Sequence, residues 1–182
     1  ERECGVIIRN WDVLPDSGGP GRWRGGAAAT CTIEIVRDGG AIYGTSMERM
    51  RFPAWGVRGG KPGQLMRIIV NQGRDDEYEV GKIEEIRVDA GDTITVMLPG
   101  AGGYGDPYLR DPEAVLRDVR YDFVTADGAR RDYGVAIADG VIDQKATAKL
   151  RSRRVKDNVH AEFDFGPDRE AWESVFDDAT MN

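Results

Sequence analysis

The amino-acid sequence predicts a mainly β domain of the α+β class: an antiparallel β-sandwich or barrel-like fold with one internal helix and two C-terminal helices. Short runs of β-branched or alternating apolar residues recur along the 182-residue chain, about eight in all, as is typical of such folds. Glycine, proline and Asp-Gly turn signals separate these runs. Helix start signals follow in the second half of the chain.

The predicted strands of the first half are defined by their alternation. Residues 27–37 place Cys31, Ile33 and Ile35 on one face and polar residues on the other, which predicts a half-buried strand. The turn at 38–40 leads into residues 41–46, which we expect to pair antiparallel with that strand. Further strands are predicted over residues 4–14, 64–72, 82–88 and 93–98.

The internal helix is predicted over residues 111–119. Asp111 supplies a cap for the helix N-terminus, and Pro112 occupies the first helical position, where its missing N–H is harmless. Glu113 adds an acid near the positive end of the helix dipole.

The remainder of the chain is predicted to form two short strands and then two helices. The strands cover residues 121–125 and 132–138 around a turn at 126–128. The first terminal helix is capped by Asp143 and runs from Gln144 to about residue 155. The second covers residues 168–176, where Ala171, Trp172, Val175 and Phe176 form an amphipathic stripe.

These elements divide the chain into a glycine-loop-rich β domain, residues 1–142, and a C-terminal helical extension packed on it, residues 143–182. The sequence begins with Glu1 rather than Met, and we expect it to be a piece of something longer.

Composition excludes several classes of function. The net charge is −7 with both signs interspersed, so we expect no general attraction to nucleic acid. No apolar run approaches the ~20 residues of a spanning helix, and the N-terminus is not a signal peptide. We therefore expect a cytoplasmic protein that does not associate with membranes. Cys4 and Cys31 are interpreted as reduced core residues. His160, the one histidine, is interpreted as a surface residue, which leaves little for serine-hydrolase or histidine-rich metal chemistry.

The most specialised stretch is Pro-Gly-Ala-Gly-Gly-Tyr-Gly-Asp-Pro, residues 99–107, which links a predicted strand to a predicted helix. Its glycines fit the loose spacing G-x-G-x-x-G of nucleotide loops. In a phosphate loop, however, the helix begins at the glycines, whereas here several residues lie between the last glycine and the predicted helix. A tight corner with no ligand of its own is therefore the favoured interpretation, and a phosphate site the alternative.

Arginines beside glycine-rich stretches are the strongest candidate ligands, because guanidinium and free backbone N–H groups bind carboxylate or phosphate together. The alternative, which we favour, is that they pair with acids and hold loops or a subunit interface. Arg49, Arg51 and Arg58 belong to this group. The candidates for lining a substrate or anion site are Arg22, Arg24, Gly102, Gly103, Tyr104, Gly105, Asp106 and Arg110.

Other side chains in the loops have structural interpretations. Asp16, Asp106 and Asp111 could each present a general base or metal ligand, or form a turn or cap. The capping role is favoured for Asp111 and, less strongly, for Asp16, whereas the role of Asp106 is open. Trp23 and Trp55 are expected to anchor their loops to the core. No P-loop, H-E-x-x-H, paired C-x-x-C or G-x-S-x-G occurs, so no catalytic residue and no metal ligand is assigned.

Taken together, the loops resemble the C-terminal part of the hydantoinase B/oxoprolinase family. The resemblance rests on residues 16–26, 52–63, 99–113 with 118–120, and 132–135, in order along nearly the whole chain. One departure is Ala101, where a further glycine is usual. Relatives of this kind include N-methylhydantoinase B subunits, 5-oxoprolinase, and acetone and acetophenone carboxylase subunits.

The resemblance implies one part of an ATP-dependent enzyme that opens cyclic amides such as hydantoins, 5-oxoproline or lactams. A hydantoinase A-like partner would bind ATP and Mg, and the remainder of the B-like subunit would complete the complex around a small-molecule substrate. Any divalent metal would be held by the N-terminal part missing here, so this chain alone binds none and is expected to be inactive. The alternatives are part of an ATP-dependent ketone carboxylase, or a non-catalytic scaffold module.

Overall fold

The structure is a computed structural model that describes residues 4–37, 39–43, 48–81, 85–153 and 162–174. Within these residues it contains short strands joined by long glycine-rich loops, and its paired strands are all antiparallel. The strands are β1 (Val6–Leu14), β2 (Ala28–Ile35), β3 (Gly40–Tyr43), β4 (Gly56–Val57), β5 (Arg67–Val70), β6 (Tyr78–Glu79), β7 (Glu85–Val88), β8 (Thr93–Met97), β9 (Ile137–Ala138), β10 (Val141–Ile142) and β11 (Phe163–Asp164).

The main sheet has five strands in the order β1-β2-β8-β5-β6. Its alternation follows the predicted pattern: Ile33 of β2 pairs with Ile94 of β8, which pairs in turn with Val70 of β5. Residues paired across antiparallel strands project to the same face, so this row of branched side chains lies on one face of the sheet. The face packs into a core with Ile86 and Val88 of β7.

β3 and β7 form a second, two-stranded layer. The predicted pairing of residues 41–46 with 27–37 is therefore wrong. Both edges of β2 are occupied, by β1 and by β8, so the chain leaves the main sheet after β2 and pairs with β7. Residues 44–46 of the predicted strand lie outside the described residues.

The helices are α1 (Pro112–Arg120), α2 (Ala126–Tyr133), α3 (Gln144–Ser152) and α4 (Pro167–Glu173), with a 3-10 turn at Pro107–Leu109. The internal helix and the Asp143 cap are confirmed, since the Asp143 carboxylate accepts from the Ala146 N–H. Trp172 of α4 packs edge-on against Phe52 with ring centroids 5.7 Å apart. The predicted stripe residues Val175 and Phe176 lie outside the described residues.

α2 is a second internal helix that was not predicted. It covers the predicted turn at 126–128 and the start of the strand predicted at 132–138, and the strand predicted at 121–125 is absent from the described residues. Thr125 Oγ1 accepts from the Gly128 N–H and caps the helix, while Gly134, at φ 62°, ends it in the left-handed conformation. The sequence 126–128 therefore begins a helix instead of forming a turn. Of the second predicted strand, only the last two residues, which form β9, are observed as a strand.

A second core lies between the helices. It is formed by Val115 of α1, Ala129 and Tyr133 of α2, and the intervening Val124 and following Val135. Arg151 of α3 donates to the carbonyl oxygens of Tyr133 and Arg110 at 3.3 and 2.7 Å, which attaches α3 to this region. The predicted division at residue 142 stays a prediction.

The mainly β, α+β class is confirmed, with the β3–β7 layer packed on one face of the main sheet. Cys4 is exposed rather than in the core, because it precedes β1 in a turn, whereas Cys31 is half-buried in β2; both thiols are free. His160 lies outside the described residues. Within the described part of the chain, every helix is too short or too polar to cross a membrane.

Candidate functional site

Three glycine-rich segments, residues 16–26, 52–63 and 99–107, lie side by side and form what we call the glycine layer. The third segment lies between the other two. Gly19 N–H donates to the Ala101 carbonyl at 2.8 Å, and Val57 N–H donates to the Gly103 carbonyl at 2.9 Å. The first and second segments also meet directly, where Lys61 N–H donates to the Pro20 carbonyl at 2.7 Å.

Glycine is required in this layer because backbone packs directly on backbone. A Cβ atom at Gly102 would overlap the carbonyl oxygen of Trp55, and one at Gly103 would overlap the carbonyl oxygen of Pro20. Neither glycine has a positive φ. The requirement is therefore close approach of main chains rather than an unusual backbone conformation.

Backbone N–H groups of the third segment are used inside the layer. Gly103 donates to the Lys61 carbonyl at 2.9 Å and Gly105 to the Val57 carbonyl at 2.8 Å. Tyr104 and Trp23 exchange two hydrogen bonds, at 2.9 and 3.0 Å. Since these donors already have acceptors, affinity for an anion at this surface must come from side chains.

The outer side of the layer carries an aromatic and basic patch formed by Arg22, Trp23, Arg58 and Tyr104, which we call the surface patch. Trp23 and Tyr104 are 64% and 44% exposed and are antiparallel bridge partners, so their side chains project to the same side. Arg58 Nη1 donates to the Tyr104 hydroxyl at 3.1 Å, and this bond raises the pKa of Arg58. Arg22, which precedes Trp23 and donates its N–H to the Gly105 carbonyl at 3.0 Å, is also exposed.

Beneath the patch lies a buried ionic cluster formed by Arg24, Arg110 and Asp118. One carboxylate oxygen of Asp118 accepts from Arg24 Nε at 3.3 Å and from Arg110 Nη2 at 2.7 Å. Arg110 also donates to the Arg22 carbonyl at 2.9 Å. Arg24 stacks over the Phe123 ring, 4.8 Å from its centroid. The cluster therefore connects the first glycine segment to α1 and carries an excess of one positive charge.

Tyr133 lies against this cluster and is fully buried. Among the described residues, neither its hydroxyl nor Arg110 Nε has a hydrogen-bond partner. Burial raises the pKa of Tyr133, an effect that the nearby guanidinium groups of Arg110 and Arg24 partly oppose. The phenol therefore stays neutral near pH 7.

The loop carboxylates hold local structure. Asp111 caps α1 by accepting from the Glu113 N–H at 3.0 Å, as predicted. Asp106 caps the 3-10 turn by accepting from the Tyr108 N–H at 2.9 Å. Asp16 accepts from both the N–H and the hydroxyl of Thr125, so it fixes the first glycine segment to the start of α2.

The second glycine segment is anchored by aromatic contacts. Trp55 packs edge-on against Phe165 with centroids 5.8 Å apart, and Arg49 lies over the Trp55 ring at 5.4 Å. Arg51 lies over the Phe52 ring at 5.3 Å. Trp55 therefore holds its loop against the segment that contains Phe163 and Phe165 and is 42% exposed, while Trp23 projects into solvent on the surface patch, so neither tryptophan is anchored in the core as expected.

The structure thus separates the predicted site residues into two groups. Arg22 and Tyr104 lie on the surface patch, whereas Arg24 and Arg110 lie in the buried cluster. Sequence reasoning missed Asp118 and Tyr133. A signal existed for Asp118, which follows the buried Val115 by three positions and so falls on the inward side of α1. In the described part of the chain, no three acidic, cysteine or histidine side chains are grouped as metal ligands would be.

Comparison with known proteins agrees with the resemblance seen in the sequence. The sequence model of the Hydantoinase B/oxoprolinase family matches residues 1–107, which include all three glycine segments. The chain belongs to this family.

Among curated relatives, the caprolactamase subunit beta of Pseudomonas jessenii is 34% identical over 155 residues, covering 81% of this chain and 26% of the relative. The chain therefore spans about a quarter of that relative's length.

Two solved structures share the fold. The ATP-dependent caprolactamase from Pseudomonas jessenii matches with a TM-score of 0.62 and 27% identity, covering 81% of this chain and 26% of that chain. A nucleotide-free acetone carboxylase matches with a TM-score of 0.65 and 20% identity, covering 94% of this chain and 27% of that chain. At that lower identity the second likeness shows the fold alone.

Proposed function

We propose that this chain is the C-terminal portion of a hydantoinase B-like subunit in an ATP-dependent enzyme that opens cyclic amides such as hydantoins, 5-oxoproline or lactams. The observation that carries the proposal is the 34% identity to a caprolactamase subunit beta over most of this chain. A caprolactam ring is a cyclic amide, so the relative's name gives the class of substrate.

The proposed complex divides its roles between subunits as the family resemblance implies. ATP and Mg bind to a hydantoinase A-like partner subunit, and the remainder of the B-like subunit completes the substrate site, including any divalent metal. The isolated chain binds neither cofactor and is inactive, and the complex is cytoplasmic. The family match and the quarter-length coverage of a subunit beta support this arrangement.

The surface patch is the proposed contribution of this chain to the substrate path. Arg22 and Arg58 present guanidinium groups, and Tyr104 a hydroxyl, on a backbone layer held by hydrogen bonds between segments. Such donors suit a carboxylate or a phosphorylated intermediate. Gly102, Gly103 and Gly105 give the patch its shape, and Asp106, Arg24 and Arg110 hold the loops behind it.

The test is an Arg22→Ala substitution in the intact complex, assayed for ATP-dependent ring opening. Loss of one charge-assisted hydrogen bond to an anionic intermediate is worth about 1.5–3 kcal/mol, so kcat/KM should fall about tenfold or more. Assembly, measured by size-exclusion chromatography with light scattering, should be unchanged.

Arg87→Ala is the matched control, because Arg87 is an exposed arginine that pairs with Glu85 of its own strand β7. It should alter neither kcat/KM nor assembly. Normal turnover in the Arg22→Ala complex would remove the patch from the substrate path.

An ATP-dependent ketone carboxylase is the second candidate, because the family resemblance also includes acetone and acetophenone carboxylase subunits; the fold shared with acetone carboxylase over 94% of this chain is consistent with it. Bicarbonate separates the two reactions. A carboxylase makes no product when bicarbonate is withheld, whereas ring opening continues without it.

A non-catalytic scaffold module is the third candidate. It is favoured by the internal pairing of the amides of Gly103 and Gly105, which leaves them unavailable to a ligand. In that case Arg22→Ala would weaken assembly, and the complex that still forms would turn over normally.

A further inference from the structure

The main sheet carries an exposed apolar surface where β1 and β8 run toward the first and third glycine segments. The register places Ile8 of β1 opposite Ile33, Trp11 opposite Cys31, and Val13 opposite Ala29. A bulge between Ile8 and Asn10 shifts the alternation by one residue, so that Ile8, Trp11 and Val13 share one face. This is the face that carries Ile33 and Ile94.

One end of this face is covered. Val6, at the start of β1, packs against the core that contains Ile35 and Ile94 together with Ile86 and Val88 of β7. The β3–β7 layer therefore buries the end of the sheet near the start of β1.

The other end is open. Trp11 is 69% exposed, and Ile8 and Leu98 are each 43% exposed. Leu98 directly follows β8 and donates its N–H to the Ala29 carbonyl at 2.9 Å, which places it across β2 from Val13. We call Ile8, Trp11, Val13 and Leu98 the open face. Arg9, at the bulge, instead pairs with Glu34, which lies on the opposite face of the sheet from Ile33.

An apolar sheet face of this kind needs a cover in the finished protein. Contiguous exposed apolar patches on a soluble chain mark interaction surfaces, and permanent interfaces are more apolar than transient ones. The open face is composed of apolar side chains from two different strands, so it resembles a core divided in half rather than a transient contact surface.

We propose that the open face is covered by an apolar segment from the part of the same subunit that longer relatives possess and this sequence lacks. The inference rests on the proposed function. A caprolactamase subunit beta is about four times the length matched here, since the match covers 26% of it. Most of that subunit is therefore available to cover the face, and an interface within one subunit is permanent.

The experiment is hydroxyl-radical footprinting, read by mass spectrometry, on three samples: the isolated 182-residue chain, the full-length subunit alone, and the complete complex. Trp11 and Leu98 should be modified severalfold more slowly in the full-length subunit alone than in the isolated chain. Tyr121, which is 65% exposed on the helical side of the molecule, serves as the internal reference.

Variants provide a second measurement. Trp11→Ser should lower the melting temperature of the full-length subunit and leave that of the isolated chain unchanged, because the side chain is exposed only in the isolated chain. Val141→Ser, at an exposed apolar side chain of β10, is the matched control and should change neither.

Each other outcome contradicts the proposal. Equal modification of Trp11 in the isolated chain and the full-length subunit would show that the face stays open. Protection that develops only on adding the hydantoinase A-like subunit would assign the face to that partner. A dimer of the isolated chain that Trp11→Ser dissociates would assign it to a second copy.

The experiments distinguish a failure of this inference from a failure of the proposed function. An active ring-opening complex whose Trp11 stays exposed would overturn only this inference. A native preparation that contains only the 20.1 kDa chain would overturn the proposed function, and this inference with it.

Discussion

Asp118 is the residue on which the buried ionic cluster depends. Its side chain is 8% exposed and its carboxylate faces two guanidinium groups, so the cluster already has more positive than negative charge. Burial of an unpaired charge is far more costly than burial of a paired one. The cluster is therefore sensitive to the loss of this single acid.

Asp118→Asn should destabilise the chain by about 3 kcal/mol, because it leaves both guanidinium groups without a charged partner in a buried site. Urea unfolding followed by circular dichroism measures the effect. Glu85→Gln is the matched control, since Glu85 forms an ion pair with the exposed Arg87, and it should change stability by less than about 1 kcal/mol. Equal effects of the two substitutions would show that the cluster contributes little.

Tyr133 makes stability fall at alkaline pH. Its pKa is raised by burial above the ordinary value of 10.0, so the unfolded chain loses this proton before the folded chain does. The stabilising contribution is present below about pH 10 and is lost as the pH rises above that value. Thermal melting as a function of pH should therefore show a decline above pH 10 that is shallower in Tyr133→Phe.

Tyr121→Phe is the control for this pH dependence, because Tyr121 is exposed. It should leave the alkaline decline as steep as in the parent chain. At pH 7, Tyr133→Phe should be neutral or slightly stabilising, since it removes a buried hydroxyl that has no partner among the described residues. A marked loss of stability at pH 7 would reveal a partner for the hydroxyl.

Among the elements, the glycine layer is the least like ordinary secondary structure. Its segments are joined by backbone hydrogen bonds between residues far apart in sequence, such as Trp23 and Tyr104. Close packing of main chains leaves no space for side chains at the contacts. Its stability should therefore depend on glycine at particular positions rather than on apolar burial.

Gly102→Ala should destabilise the chain by about 1–3 kcal/mol, because the added methyl group overlaps the Trp55 carbonyl and forces two segments apart. Gly81→Ala is the matched control, since a Cβ there meets nothing within 4 Å and the backbone φ is not positive. Differential scanning calorimetry of both variants gives the comparison. Equal melting temperatures would mean that the layer adjusts without cost.

Secondary-structure elements were predictable where the signal was local. The alternation in β2 and the caps of α1 and α3 gave correct positions. The partner of β3 was not predictable, because its choice depends on both edges of β2 being occupied. α2 was missed because Gly128 was interpreted as a turn residue, although Thr125 and Gly134 provide both ends of a helix.

At the scale of the whole molecule, the mainly β class was predictable from the recurrent alternating apolar runs, and the family from the order of the glycine segments. The site was only partly predictable. Arg22 and Arg24 are two positions apart in the sequence, yet one is exposed and the other pairs with Asp118, 94 residues away. Such a division is set by three-dimensional packing, and no local pattern encodes it.

The whole molecule also has two unequal surfaces. The glycine layer presents a polar and aromatic patch with hydrogen bonds fixed behind it, whereas the open face of the main sheet presents only apolar side chains. The first is suited to a solvated ligand and the second to permanent contact. This difference is why substrate and subunit contacts are proposed on separate surfaces.

The glycine layer has a consequence for the order of folding. The first and second segments are separated by β2 and β3, and the second and third by β5 to β8, so no segment can be held in place until the others are present. Closing the loops between such distant residues costs conformational entropy. The pairing of β2 with β8, with Thr30 opposite Met97, closes most of the same distance and brings the ends of the first and third segments together. We therefore expect the sheet to form first and the glycine layer to form last, in a single cooperative step. The surface patch would then be among the last parts of the molecule to fold.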